Sequence, residues 1–512
     1  MLAVAELGRL HAPVLGDAAM ERADWLNRES PMSQALIGQI YAGFHERYGD
    51  QIAPDHREVC ERLVASFDGY VGGEGRRLHG LVHGDYRLDN MLFGEAGADR
   101  PLTVVDWQTV TWGPALTDLA YFLGCALSDQ DRRDHYDALL RAYHGALGPD
   151  APISVEEVRE GVRRQSFFGV MMAIVSSMLV ERTDRGDAMF MVMLRRHCQH
   201  VLDTGAMDEL PEPVVAQALC PSPDDEGAHP PTNEPLWNES WYFDFADIRQ
   251  GVGGWIRLGL MPNEDTSWVT ALLCGPDMPT IAVVDFHNSS VIGLGLEATA
   301  PLRTYRVTVR GAGQAYDDPA ALLRGEPGRP VDVAMDLTWT TAGMPYQYRI
   351  ASRYEIPCTV SGSVTADGRR VEVAHVPGQR DHSWGVRDWW AMDWVWSALH
   401  LDDGTHIHGV DLRIPGAPPI GVGYLQRQGE QLVELQAVTA RETFADNGLP
   451  QTATLTVNPG DVSATVDIRG HAPVLLTSPD GRVSHFPRAW ATVTTADGRT
   501  GVGWLEWNRN TP

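Results

Sequence analysis

The chain has 512 residues, enough for two or three domains. Its 43% hydrophobic and 21% charged residues are an ordinary globular balance, with material for large cores. A formal net charge of -27 argues against nucleic acid as the main partner and against a basic membrane-binding patch, but a nucleotide bridged to acidic groups by a metal ion stays open.

The opening stretch MLAVAELGRLHAPVLGD carries no basic leader segment and no long apolar run. The longest apolar stretch, Phe167 to Val180, contains two serines and is too short to span a bilayer. Six scattered cysteines, Cys60, Cys125, Cys198, Cys220, Cys274 and Cys358, form no C-x-x-C pair and read as free thiols in a reducing compartment. A cytoplasmic protein without membrane attachment is expected. All 41 basic residues are arginine.

Residues 1–205 read as mainly helical. Early in this region, LVHGDYRLDN (Leu81 to Asn90) is followed by LTVVDWQTV (Leu102 to Val110), where Asp106 closes an apolar run. Phosphoryl transfer needs a carboxylate near the attacking hydroxyl and hard oxygen ligands for Mg²⁺. Asp85 suits the first role; Asn90 and Asp106 suit the second. Ser154 to Glu157 is a capping-box pattern, and Val155, Val158 and Val162 then recur at helical spacing. Apolar helices are expected from Phe167 to Asp203, with a break near Arg185, Gly186 and Asp187. Residues 206–235, rich in proline and acid, read as a linker.

From Trp237 the texture is β. Thr304 to Arg310 alternates, and so do Ala453 to Val457 and Val462 to Ile468 on either side of Asn458, Pro459 and Gly460, which predicts a hairpin. An antiparallel barrel or sandwich is the expected class. Thirteen of the 16 tryptophans lie between Trp237 and Trp507, and are expected to divide between core and an aromatic pocket. The densest stretch runs from Gly378 to Trp390 and holds Arg380, Asp381, His382, Arg387 and Asp388 among tryptophans. Such charges need partners when buried; the four Arg and Asp residues can pair among themselves in a network that fixes strand register, or they furnish a pocket with an acid, a base and aromatic faces. His406 and His408 share a strand face but lack a third ligand nearby, so they read as strand histidines rather than a zinc site.

The first region resembles the aminoglycoside phosphotransferase and choline kinase-like family, in the H-G-D-x-x-x-x-N pattern (His83 to Asn90), the strand-end Asp106 and the segment Asp118-Leu119-Ala120. The resemblance implies Asp85 as catalytic base, His83, Asn90 and Asp106 on the nucleotide side, with Asn90 and Asp106 on the metal, and ATP and Mg²⁺ as cofactors. Members of that family begin with a small lobe that carries a phosphate-covering loop and a lysine. Here the sequence opens on what looks like the first helix after the hinge, so a separate small subunit is expected to supply that lobe. The β region resembles the carotenoid 1,2-hydratase-like superfamily of tandem lipocalin-like barrels, through R-D-H-S-W-G (Arg380 to Gly385) and the opening strand from Glu239. That resemblance implies Asp381 as general acid or base, supported by His382, Arg387 and Asp388.

The expected architecture is a multidomain α+β chain: a mainly helical kinase-like C-lobe (1–205), a linker (206–235) and an all-β tandem lipocalin-like barrel region divided into 236–345 and 346–512. The expected function is an ATP-dependent dehydratase of a branched, tertiary or terpenoid-like small-molecule alcohol. Phosphorylation would convert a poor leaving group into a good one, and the barrel would eliminate it. The alternatives are an alcohol kinase whose β region only binds substrate, and a non-enzymatic ligand-binding protein with a degenerate kinase lobe.

Overall fold

The computed structural model describes the chain apart from residues 24, 27–31, 74–77, 96–99, 181, 214–217, 287–291, 416–418, 479 and 511–512. It divides into two compact units, Met1–Ala216 and Gln217–Pro512.

The first unit is helical. Leu2–His11 packs on Asp129–Leu147, and Gln34–Tyr48, Pro54–Ala65, Phe167–Leu179 and Asp184–Thr204 enclose a second core around Phe44, Cys60, Leu63, Ile174 and Leu194. Ser154 forms the expected capping box with Glu157. One helix ends at Leu179 and the next begins at Asp184 rather than at Gly186, because the Thr183 side chain accepts from Gly186 N and starts the last helix there. Two short antiparallel pairs, His79–Val82 with Thr111–Pro114 and Met91–Phe93 with Leu102–Val104, frame the loop that carries Asp85. No helix among the described residues is long and apolar enough to cross a membrane.

The second unit is built of two curled antiparallel sheets. In the first, Arg329–Thr341, Thr304–Tyr316, Met278–Asp285, Thr266–Gly275, Val252–Met261, Trp237–Asp247, Arg369–Val386 and Arg353–Ala366 pair in that order, and the last returns to pair with the first. The strand Gly293–Ala300 lies off this path and pairs with Thr304–Tyr316. In the second, Ile420–Gln426, His406–Arg413, Asp393–Leu401, Thr500–Asn510, Arg488–Thr495, Val462–His471, Pro450–Asn458 and Ala437–Phe444 follow one another. This sheet also curls back on itself: a Cβ on Gly421 would lie 2.1 Å from Val438 N. The predicted hairpin is present, with Val457 opposite Val462. The chain passes from one sheet to the other between 386 and 393, so residues 346–386, grouped by sequence with the second β domain, pair with the first sheet. Barrel closure requires them there.

Alternation sorts the side chains into three layers. Trp241, Phe243, Phe245, Val307 and Trp339 fill the first barrel, and Leu399, Leu455, Val466, Leu505 and Trp507 fill the second sheet's interior. A third cluster joins the two sheets through Tyr242, Trp255, Trp396, Trp490 and Trp504. Its indoles donate across the junction: Trp255 to Ala472 O (3.1 Å), Trp490 to Cys274 O (3.1 Å) and Trp504 to Phe245 O (2.9 Å). Most of the tryptophan is therefore structural. The stretch expected as a linker is also structural beyond 217, since its Glu226 forms a bidentate, buried ion pair with Arg380.

Candidate functional site

In the first unit the Asp85 carboxylate is held from three sides. Oδ2 accepts from Asn90 Nδ2 (2.8 Å) and Arg87 Nε (3.1 Å), and Oδ1 accepts from the Tyr121 hydroxyl (3.1 Å). Tyr121 is itself fixed by stacking on His197 at 5.2 Å. Gly124 and Gly169 make room for that imidazole, since a Cβ on either would lie within 2.2 Å of it. The Asp85 side chain remains 22% accessible, enough to meet a substrate hydroxyl.

The loop geometry comes from Asp118, at the start of the helix Thr117–Cys125. Its oxygens accept from His83 N (2.6 Å) and Gly84 N (3.0 Å), and Gly84 takes φ +82° to turn toward it. Burial raises the Asp118 carboxyl to about 6, against the opposing pull of those two amides. His83 is fully buried. Its Nε2 donates to Val105 O (3.0 Å), which leaves Nδ1 to accept from Asp85 N (3.2 Å). Both nitrogens are thus engaged inside the loop, and neither is left free in this structure for the nucleotide contact expected of His83.

Asn90 spends its amide protons on Asp85 O and Oδ2, so its oxygen is the atom it offers a cation. Val105 N donates to Asn90 O (3.0 Å), which ties the Asn90 turn to the exposed Asp106, whose φ is +65°. Carboxylate and amide oxygens on adjoining turns are a donor set that fits Mg²⁺.

In the second unit the R-D-H-S-W-G segment is a strand, and its residues go to opposite faces. Asp381 lies opposite Tyr242, and His382 opposite Trp241. Asp381 faces the junction of the sheets, while His382 faces the barrel side, where it meets Glu239 at 3.0 Å. The two do not form one site. Nor do the charges of this stretch pair among themselves: Arg380 pairs with Glu226, Asp381 with Arg353 (2.7 Å) and Asp388 with Arg482 (3.2 Å), while Arg387 donates to Ser352 O (3.1 Å). Period-two geometry separates sequence neighbours.

Around Asp381 the junction gathers groups that sequence reading did not single out. Arg353 bridges Asp381 and Glu355. Glu355 also accepts from Trp396 Nε1 (3.0 Å) and Gln379 Nε2 (3.0 Å). His408 Nδ1 donates to Ser397 O (2.9 Å), so its Nε2 accepts from the Tyr348 hydroxyl. Burial holds His408 down at about 3, so it stays neutral. His406 turns instead to His400 (3.0 Å), so the two strand histidines are separately partnered. Arg353 and Glu355, the two charged residues of the strand Arg353–Ala366 and spaced to share a face, were the legible signal for this cluster.

Burial raises Asp381 to about 6 and pushes Asp244 well above the usual carboxylate range. Arg257 is lowered to about 9 by burial and by Arg488, and Arg387 to about 10 by burial and by Arg353. Arg387 also lines a pocket of about 170 Å³ with Met261, Trp268, Trp389 and Trp390, and Arg257 lies 4.7 Å over the Trp389 ring. Among the described residues, three polar atoms on the pocket wall have no hydrogen-bond partner: Asn238 Oδ1, Glu264 Oε2 and Trp390 Nε1. Asp388 stands at the edge, accepting from Trp390 N (3.1 Å).

A family model described as a domain of unknown function (DUF7064) matches residues 222–511, more than half of the chain. The chain belongs to the DUF7064 family. The DUF7064 region thus takes in the strap that carries Glu226 as well as both sheets. A second model, the ecdysteroid kinase-like family, matches residues 25–150, which hold Asp85, Asn90, Asp106 and Asp118. Short segments are similar to curated proteins. One is 45% identical over 42 residues to the probable acyl-CoA dehydrogenase IBR3 of Arabidopsis thaliana, and one is 51% identical over 41 residues to acyl-CoA dehydrogenase family member 11 of Gallus gallus. Each match spans 8% of this chain and 5% of the relative. Among solved structures, a putative AttH from Nitrosomonas europaea aligns with a TM-score of 0.40 at 14% identity, over 58% of this chain and 99% of its own. Kievitone hydratase from Nectria haematococca aligns with a TM-score of 0.38 at 12% identity, over 54% and 91%. Likenesses this distant carry no argument about chemistry.

Proposed function

We propose that the chain is a two-site enzyme that phosphorylates a small-molecule alcohol in its kinase-like unit and eliminates the phosphate in its DUF7064 region. The observation that carries this reading is the tryptophan pocket, where the half-buried Arg387 lines the wall beside Trp389 and Trp390 and the half-buried Arg257 lies 4.7 Å over the Trp389 ring, neither in an ion pair among the described residues. A half-buried guanidinium outside any ion pair can take an anionic ligand through charge-assisted hydrogen bonds. A phosphorylated alcohol has that charge at one end and an apolar body for the indole faces at the other.

In the first step the alcohol oxygen attacks the γ-phosphorus of ATP, the bond to the β-phosphate oxygen breaks, and Asp85 takes the hydroxyl proton. Asn90 and Asp106 would hold Mg²⁺, which neutralises phosphate charge when bound. We infer that the phosphate-covering lobe and its lysine come from outside these 512 residues, whose 41 basic residues are all arginine, and a small partner subunit is the source tested here. In the second step the C–O bond breaks and phosphate leaves with the electron pair toward Arg387 and Arg257. Asp381 takes a proton from the neighbouring carbon, giving an alkene. A carboxyl at about 6 is largely ionised at neutral pH yet basic enough for this work. The indole faces of Trp389 and Trp390 stabilise positive charge that develops at the carbon.

The test is a product split with ATP, Mg²⁺ and a panel of branched and allylic alcohols, the small subunit added. Asp381→Asn should accumulate phosphorylated alcohol while ATP turnover continues. Unchanged alkene yield from a folded Asp381→Asn protein would reduce the junction to a structural ion network.

A further inference from the structure

On the far face of the same strand, away from Asp381, three side chains converge. Glu239 Oε1 lies 2.8 Å from His229 Nδ1 and 3.0 Å from His382 Nε2. The three ligand atoms all fall within 4.8 Å of one another. Glu239 and His382 are buried on facing strands of the barrel, and His229 comes from the strap that precedes it.

The protons do not balance for two neutral imidazoles beside an ionised Glu239. His382 Nδ1 lies 2.7 Å from the Asp225 carbonyl, which can only accept, so Nδ1 carries the hydrogen. In the neutral ring, Nε2 then presents a lone pair to a carboxylate oxygen, which also presents lone pairs. A cation between them removes the conflict. The outer contacts are those a metal site uses: the Asp225 carbonyl fixes the His382 tautomer, and the Asp225 carboxylate lies 3.8 Å from His229 Nε2, the nitrogen not turned to Glu239. Both rings are clamped by indoles, His229 stacked on Trp384 at 3.8 Å and His382 on Trp241 at 4.4 Å.

We propose that His229, Glu239 and His382 bind a divalent transition-metal ion, Zn²⁺ by its donor set, which pins the strap to the barrel. Two imidazoles and a carboxylate leave the fourth tetrahedral position open. Zinc bonds of about 2.0–2.1 Å place ligand atoms about 3.3 Å apart, so the 2.8 and 3.0 Å separations of the two imidazole nitrogens from Glu239 Oε1 need only a small outward shift. This site is independent of the phosphorylation and elimination sites and stands or falls without them.

The experiment strips the full chain with chelator and titrates it with Zn²⁺ by calorimetry, then with Co²⁺ while the visible spectrum is followed. Wild type should take up about one equivalent more than Glu239→Gln or His229→Asn, show the intense visible bands of low-coordinate Co²⁺, and melt several degrees higher with Zn²⁺. His229 is partly exposed, so His229→Asn should fold even if Glu239→Gln does not. Equal uptake by wild type and folded His229→Asn, or no shift in melting, would overturn the proposal and leave the cluster as an imidazolium–carboxylate pair.

Discussion

Replacing Asp381 with Asn should stabilise the DUF7064 region at neutral pH while stopping its chemistry. The Asp381 carboxyl titrates near 3.8 in the unfolded chain and at about 6 in the fold, with burial the largest cause. Between those values the folded protein holds a proton that the unfolded chain has released. Stability is therefore highest below the unfolded value and declines as pH rises, the full cost being reached above about 6. A shift of about two pH units corresponds to about 3 kcal/mol. Asn has nearly the same shape, keeps an acceptor for Arg353 Nη2 and cannot ionise. Urea unfolding followed by tryptophan fluorescence reports this region, because 13 of the 16 tryptophans lie in it. The variant should gain little below pH 4 and about 3 kcal/mol at pH 7.5. A variant less stable than wild type at pH 7.5 would refute the reasoning. It would mean that Arg353, Arg257 and Arg488 favour the carboxylate more than burial opposes it.

In the kinase-like unit, Asp85→Asn should cut phosphoryl transfer about a hundredfold or more and leave nucleotide affinity nearly intact, measured by ADP release and calorimetry. Asp118→Asn should lower the same rate by presenting an amide NH₂ to one of the two backbone amides it now accepts from, with the fold retained by circular dichroism. In the strap, Glu226→Gln leaves the buried Arg380 without its counter-charge and should cost about 3–5 kcal/mol in urea unfolding. A loss below about 1 kcal/mol would show that this ion pair does not tie the strap to the barrel.

Much of the kinase-like site was legible because its residues lie close in sequence. His83, Asp85 and Asn90 share one loop, and Asp106 ends a strand whose neighbour holds the Asn90 turn. The part played by Asp118 was harder to read, since it depends on a helix start 34 residues beyond Gly84 meeting two backbone amides. The β region showed its class through alternation and its tryptophans. Its site was only half visible, because strand alternation sends Asp381 and His382 to opposite faces and closure brings Arg353, Glu355, Arg257 and Arg488 from other strands. Glu226 and His229 were hidden by a proline-rich setting that reads as a linker, although both close onto buried partners.

The central claim is that one oxygen passes from the alcohol into phosphate. The decisive measurement supplies ¹⁸O-labelled alcohol with ATP, Mg²⁺ and the small subunit, and weighs the released inorganic phosphate by mass spectrometry. Phosphorylation followed by elimination predicts one ¹⁸O in each phosphate, in step with alkene formed. Label recovered in water, with unlabelled phosphate, would contradict it.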